Sequence, residues 1–191
     1  EDTHMFKGTS ASAGIGIGKA VIVEEAELVI TRNEVADAEA EIQRFKGALE
    51  KTIAATQKMA DDLASRVGEK EAEIMQGHMM LLSDPMLTGE IENSVKNDKV
   101  NCEFAIENVC NMYADMFASM GDELMQQRAT DMRDIKVRMQ RTLMGLESVD
   151  VSLLPKGSIL VAKDLTPSMT AGINPENVSG IVTELGGKTS H

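Results

Sequence analysis

The chain of 191 residues is long enough for one domain or two small ones. Its formal net charge of −12 argues against nucleic acid or an anionic membrane as a partner, and it suits a basic protein partner. No apolar run reaches the ~18 residues of a membrane-spanning helix, and no secretory signal is visible. We therefore expect a cytoplasmic protein, in which residues 1–4 are a cloning remnant before Met5 and His4 has no function.

The N-terminal segment ends in a predicted strand from Lys19 to Glu24, rich in β-branched residues. The glycine-rich run 14–18 before it suggests a nucleotide-binding loop. Such a loop needs a strand before it and a helix after it, and a phosphate loop also needs Ser or Thr after the lysine, where this chain has Ala20. We therefore reject the nucleotide-loop interpretation.

A helical apolar stripe begins at Asn33 and ends at Gly68, which predicts a helix of about nine turns. Further helical stretches are predicted at 70–82, resumed at 86–96 after Ser83-Asp84-Pro85, at 102–120 and at 124–146. Their short connections predict a mostly antiparallel four-helix-type bundle. The 14 methionines are interpreted either as adaptable core packing or as a yielding contact surface.

Two cysteines, Cys102 and Cys110, lie eight residues apart in one predicted helix. At that spacing their α-carbons are roughly 12 Å apart, too far for a disulfide. No His or Cys partner is spaced to complete a metal site, so we predict buried thiols and no bound metal.

The strand pattern returns after Val149, with strands at 157–162 and 178–183. Between them, 164–167 begins a short helix that Gly172 ends. The predicted fold class is α+β: a helical domain, residues 31–147, is inserted into a discontinuous α/β domain formed by 6–30 and 148–191.

The sequence Gly186-Gly187-Lys188-Thr189-Ser190-His191 follows the last predicted strand. Glycines let backbone N–H groups approach an anion closely, and the hydroxyls and the lysine add donors and positive charge. A histidine in this position can attack a phosphoryl group and hold it as a phosphoramidate. The motif therefore predicts a phosphohistidine site.

Several segments together with this motif resemble the enzyme I family, the phosphoenolpyruvate–protein phosphotransferases of the bacterial sugar phosphotransferase system. They are 8–19 (GTSASAGIGIGK), 77–82 (GHMMLL), 128–134 (RATDMRD) and 164–168 (DLTPS). The histidine motif alone does not separate this family from pyruvate phosphate dikinase or phosphoenolpyruvate synthase, which carry similar swivelling domains. The helical stretch from residue 31 to 146 does, because it is similar to the carrier-binding insertion of enzyme I.

The resemblance implies that His191 is the phosphohistidine, that Thr170 helps to orient it, and that Lys188 supplies positive charge beside Gly186 and Gly187. It also implies a surface for the histidine-containing phosphocarrier protein, whose basic rim would meet acidic residues here. That predicted surface consists of Glu69, Glu73, Met79, Met80, Leu82, Asp84, Leu87, Phe117 and Arg128. Bundle core is the alternative for its apolar members, and a structural role is favoured for His78.

In the family, the chain continues past the histidine to complete the α/β phosphohistidine swivelling domain. It then forms a barrel that binds phosphoenolpyruvate and magnesium and makes the homodimer. The resemblance implies that the present chain is a monomer that docks the carrier without phosphorylating itself. Two alternatives stay open: a phosphohistidine domain of a dikinase or synthase, and a module that only docks.

Overall fold

Three parallel strands form the sheet of this protein, for which a computed structural model describes residues 3–187. They are β1 (Lys19–Val23), β2 (Ser158–Ala162) and β3 (Val178–Thr183), in the order β1-β2-β3. Lys19 pairs with Ser158, so the first strand joins a sheet whose other two strands lie near the opposite end of the chain. The helices of the bundle lie between β1 and β2, and the α+β fold class predicted from the sequence is confirmed.

Glycines of the run before β1 are required by close contact between backbone segments. A Cβ at Gly16 would collide with the carbonyl oxygen of Ser179, and one at Gly18 with the carbonyl oxygen of Gly157. Only glycine permits such an approach. The run therefore packs against the sheet, which agrees with the rejection of a nucleotide loop.

The long helix α1 spans Ala38–Arg66 and starts later than the predicted Asn33. Asp37 caps it by accepting a hydrogen bond from the backbone N–H of Ala40 at 3.1 Å. Residues 33–35 instead pair with 99–101: the Val35 N–H donates to Lys99, and the Asn101 N–H donates to Asn33. This antiparallel contact replaces the first turn that periodicity predicted.

Four further helices complete the bundle: α2 (Glu69–Leu82), α3 (Pro85–Asp98), α4 (Cys102–Ser119) and α5 (Glu123–Met144). Their apolar faces enclose one core, in which Phe45, Ile91 and Ile135 are fully buried. Both cysteines are buried in this core as free thiols. Among residues 3–187 no helix is both long and apolar enough to cross a membrane.

The short helix α6 (Pro167–Gly172) follows β2, and a single 3-10 turn at Val151–Leu153 precedes that strand. The 3-10 turn was not predicted. A small second core joins one face of the sheet to this region, with Leu160 fully buried beside Val23 and Ile173. The α/β part therefore has its own core, which contains far fewer side chains than the core of the bundle.

The two segments that connect the bundle to the sheet meet at Glu25. Its carboxylate accepts a hydrogen bond from the Val149 N–H at 3.2 Å and lies 3.6 Å from the Nε of Arg141. The same arginine donates to the carbonyl of Ala26. The segment that leaves β1 is thereby fastened to the segment that returns toward β2.

Candidate phosphohistidine site and docking surface

The carboxyl ends of β2 and β3 lie at the same edge of the parallel sheet, which is where such sheets bind ligands. β2 leads into α6, and β3 leads into Gly186 and Gly187. Beyond β3 the pairing continues, since the Glu184 N–H donates to Ala162 at 3.2 Å and the Leu185 N–H donates to Lys163 at 2.9 Å. The glycine segment therefore starts at the ligand edge of the sheet, although Lys188 and His191 themselves lie outside the described residues.

Both predicted glycines are exposed at this edge. Gly186 has a φ of 104°, in the left-handed region that favours glycine over every other residue. The turn after β3 therefore depends on glycine at this position. A role in holding a phosphoryl group stays a prediction for Gly186 and Gly187.

Thr170, the predicted orienting residue, lies half-buried on α6. Its hydroxyl donates to the backbone carbonyl of Thr166 at 3.1 Å, which is the ordinary role of a threonine in a short helix. The hydroxyl oxygen keeps lone pairs and can still accept a hydrogen bond from an imidazole N–H. The orienting role predicted for Thr170 is therefore chemically possible and stays a prediction.

Two charged residues of the bundle hold the ends of α6. Both oxygens of Asp134 on α5 accept hydrogen bonds from Ser168, at 2.7 Å from its N–H and 2.8 Å from its hydroxyl. Arg66 on α1 donates to the carbonyls of Ala171 at 3.3 Å and Ile173 at 3.4 Å. Sequence analysis missed both residues, since the burial of Asp134 on α5 is visible only in the structure.

Burial raises the pKa of the Asp134 carboxyl, while the nearby His78 and the Ser168 hydrogen bonds favour its charged form. Arg138, one turn further along α5, contributes in the same sense, and burial lowers the pKa of its own guanidinium. Asp134 and Arg138 border a cleft of about 350 Å³ between the bundle and the α/β part. The contact between the two parts is therefore polar and partly open.

The predicted docking surface is best formed on α2. Glu69, Glu73 and Met80 are exposed, and their spacings of four and seven residues place them on one helix face. Met80 is 69% exposed, which is high for so large an apolar side chain. This face combines negative charge with apolar area, as a contact with a basic protein requires.

Leu82 and Leu87 do not belong to that surface, and their prediction as contact residues is wrong. They are 0% and 2% exposed because both point into the bundle core. Periodicity could not separate them from Met80, since α2 and α3 also use apolar side chains to pack against their neighbours. Met79 is half-buried and retains some exposed area.

The other predicted docking residues have identifiable structural roles. Asp84 caps α3 through the Met86 N–H at 2.9 Å. Phe117 is half-buried against the bundle core, with its ring 6.4 Å from that of Tyr113. Arg128 is half-buried on α5, one turn before Asp131, which contacts α2. Their contact with a carrier stays a prediction.

Exposed apolar side chains that sequence analysis did not assign lie at the ends of neighbouring helices. Met86 lies in the first turn of α3, Met116 in the last turn of α4, Met120 directly after α4, and Leu124 in the first turn of α5, with exposures from 45% to 68%. The high methionine content was the available signal. Methionine on a surface supports the yielding-contact interpretation at these positions, whereas Met75, Met132 and Met139 are core residues.

His78 is a buried structural residue. It is fully inaccessible, and its Nε2 lies 3.0 Å from Asp131 on α5. This contact joins α2 to α5 inside the bundle. A second phosphorylation site at His78 would require it to be exposed, so the structure agrees with the structural role favoured from sequence.

One group in the described part of the chain places three potential metal ligands together: Glu41, Cys102 and Glu103. Arg44 already binds both carboxylates, at 2.7 Å from Glu41 through its Nε. Burial raises the pKa of the Cys102 thiol to about 12, so the thiol stays protonated. The group is therefore an ion-pair network and not a candidate metal centre.

Comparison with known families covers most of the chain. The family described as "PEP-utilising enzyme, N-terminal" matches residues 7–128, and "PEP-utilising enzyme, mobile domain" matches 154–191. The second match extends through the glycine–histidine motif. The two matches therefore place the chain in the class of phosphoenolpyruvate-utilising enzymes.

Individual relatives narrow this class. The phosphoenolpyruvate-protein phosphotransferases of Bacillus subtilis and Listeria monocytogenes are 40% and 41% identical over 97% of this chain. The chain spans about a third of their length, 33% and 32%. A solution structure of an enzyme I protein superposes with a TM-score of 0.86 at 38% identity, covering 98% of this chain and 76% of that one.

A second solved structure, the N-terminal domain of a nitrogen enzyme 1, has a TM-score of 0.66 at 24% identity and supports the fold alone. On the matches over nearly its whole length, the chain belongs to the enzyme I family of phosphoenolpyruvate-utilising enzymes.

Proposed function

We propose that this chain is the phosphohistidine and carrier-docking part of a phosphoenolpyruvate–protein phosphotransferase that acts in cytoplasmic sugar uptake. In the whole protein, a nitrogen of His191 attacks the phosphorus of phosphoenolpyruvate, a P–N bond forms, and the enolate of pyruvate leaves. The phosphoryl group then passes to a histidine of the phosphocarrier protein. Neutral imidazole is the nucleophile.

The observation that carries this proposal is the edge of the sheet from which the histidine motif departs. The carboxyl ends of β2 and β3 coincide there, so α6 with Thr170 and the segment from Gly186 start from the same edge. Thr170 can accept the N–H of one imidazole nitrogen and leave the other free to attack. The names of the relatives from Bacillus subtilis, Listeria monocytogenes and Priestia megaterium, phosphoenolpyruvate-protein phosphotransferases, favour this interpretation over a dikinase or synthase.

The remaining requirements are assigned to sequence beyond His191. Phosphoenolpyruvate and magnesium would bind there, where the ion neutralises charge on the transferring phosphoryl group. The homodimer contact would also lie there. We therefore expect this chain alone to be a monomer that binds the carrier and is not labelled by phosphoenolpyruvate and magnesium.

In the first experiment, this chain is titrated with unphosphorylated phosphocarrier protein, and binding is measured by calorimetry and by NMR chemical-shift changes. We expect saturable binding that weakens with salt, because an acidic face meets a basic one. Glu73→Lys and Met80→Asp should each weaken it at least tenfold. The matched controls are Glu50→Lys on α1 and Leu153→Asp in the α/β part, both at exposed positions, and these should bind normally.

The second experiment labels the full-length protein with phosphoenolpyruvate and magnesium. Label should appear on wild type, disappear in His191→Ala, and pass to added carrier. Labelling that requires a nucleotide would instead indicate a dikinase or synthase. Carrier binding by a protein that is never labelled would indicate a docking-only module.

A further inference from the structure

Building on the proposed function, we propose that Asp134 and Arg66 are positioning residues for phosphoryl transfer to the carrier. They hold α6, and with it Thr170, at a fixed orientation against the bundle on which the carrier docks. They would act through α6 and touch neither phosphoryl group nor carrier. We call this pair and its contacts to α6 the α6 clamp.

The N-terminal contact of the α6 clamp is a two-point one. Asp134 is 4% exposed and uses one oxygen for the Ser168 N–H and the other for the Ser168 hydroxyl, at 2.7 and 2.8 Å. Hydrogen bonds to an ionised carboxylate are short and strong, and two of them fix direction as well as distance. Ser168 lies two residues before Thr170, so the orientation of Asp134 is passed directly to the first turn of α6.

The C-terminal contact comes from a different helix. Arg66, in the last turn of α1, points its two terminal nitrogens at the carbonyls of Ala171 and Ile173, on either side of the end of α6. The planar guanidinium is suited to two acceptors at once. Thr170 therefore lies between two anchored points that belong to α5 and α1.

Apolar packing below α6 leaves room for these contacts to decide its orientation. Ala171 is 6% exposed and packs against Ala60, Leu63 and Met75 of α1 and α2. The two buried residues of α6, Pro167 and Ala171, have short side chains that bury little area, so they bring α6 close without preventing rotation or sliding. Directional hydrogen bonds at the two ends of α6 fix the orientation that the packing alone does not fix.

The clamp should affect transfer of the phosphoryl group to the carrier and leave its acquisition from phosphoenolpyruvate unchanged. The carrier binds the bundle, so the histidine that gives up its phosphoryl group must be held relative to the bundle. A displacement of about 1 Å can cost roughly a hundredfold in rate. In the proposed function phosphoenolpyruvate binds to sequence beyond His191, so acquisition of the phosphoryl group should not depend on the clamp.

The test measures both half-reactions in the full-length protein by rapid quench. Asp134→Ala and Arg66→Ala should lower kcat for transfer to the carrier by about 10- to 100-fold, with KM for the carrier and labelling of His191 by phosphoenolpyruvate unchanged. Asp134→Asn should recover most of the rate, because its amide oxygen can accept the Ser168 N–H and its NH₂ can donate to the hydroxyl. A residue that only stabilised the fold would not give this split.

Matched controls are Asp98→Ala on α3 and Lys51→Ala on α1, both exposed and remote from α6. If Asp134→Ala fails to fold, Ser168→Ala removes only one of the two hydrogen bonds and should give the same split more weakly. An equal fall in both half-reactions, or no fall in either, would overturn the clamp. A wild-type protein that is not labelled would overturn the proposed function itself.

Discussion

The bundle and the α/β part differ in how completely they cover their apolar surface. In the bundle, five helices enclose a core that includes Phe45 and Ile106 at 0% exposure. In the α/β part, Leu160 is buried on one face of the three-stranded sheet, while Ile22 and Val182 are 69% and 54% exposed. The bundle thus closes its own core, whereas in residues 3–187 the sheet is covered on one face only.

This difference assigns separate work to the two parts. A closed bundle can present a stable docking face, because its surface residues are held by a core that does not depend on the sheet. The sheet is held to the bundle by α6, through Asp134, Arg66 and the small contact at Ala171, and by the contacts of Arg141 with Glu25 and Ala26. Stability should therefore be concentrated in the bundle, and local opening in the α/β part.

The largest effect is expected in the bundle core. Phe45→Ala should lower the free energy of unfolding by about 3–5 kcal/mol, because it removes a fully buried ring and leaves a cavity. Urea unfolding followed by helical circular dichroism measures the loss. Phe6→Ala removes the same ring at 92% exposure and should change nothing measurable. Equal losses in both variants would contradict the core described here.

A smaller and more local effect is expected in the sheet. Leu160→Ala should cost about 2–4 kcal/mol in the α/β core. Hydrogen exchange should then speed up in β1, β2 and β3 while bundle amides keep their protection. Leu153→Ala, at 78% exposure, is the matched control. Equal acceleration in the bundle would show that the two parts unfold together and would remove the distinction between them.

The smallest expected effects are changes in the free energy of unfolding with pH. They have opposite signs in the bundle and at its contact with α6. Burial opposes the charge of Glu107, but hydrogen bonds from Gln140 and the charge of Lys136 lower its pKa below 4.5. Its contribution is present above pH 4.5 and lost as pH falls through the lowered pKa. Glu107→Gln should flatten this acid loss, by less than about 1 kcal/mol because the pair is partly solvated.

Burial raises the pKa of Asp134 above 3.8. Its contribution to the free energy of unfolding is therefore present below that pH and declines as pH rises through the raised pKa. Asp134→Asn should remove that decline. Urea midpoints between pH 3 and 7 check both variants. A change of the same sign in the two would contradict the assigned pKa directions.

Local sequence signals predicted most helices and strands closely. Asp122 caps α5 through the Leu124 N–H, and Gly145 ends it in a left-handed conformation, as capping rules predict. The start of α1 was missed because residues 33–35 pair with a segment about 65 residues away, a contact that periodicity does not report.

The candidate site was less predictable for a related reason. The resemblance to enzyme I suggested Glu73 and Met80, which are exposed, together with Leu82 and Leu87, whose burial depends on which neighbours cover α2 and α3. Asp134 and Arg66 act on residues of another part of the chain, so nothing in their own sequence neighbourhood identifies their partner. Side chains that join distant segments require the three-dimensional arrangement.

The contact at Glu25 also has a consequence for how the chain folds. The sheet must bring β1 beside β2 across the whole inserted bundle, and closing so long a flexible loop would slow folding. A folded bundle removes most of that delay, because it delivers the two crossing segments side by side at Glu25 and Arg141. β2 and β3 can therefore pair early. β1 can join them as soon as the folded bundle has brought the two connecting segments together.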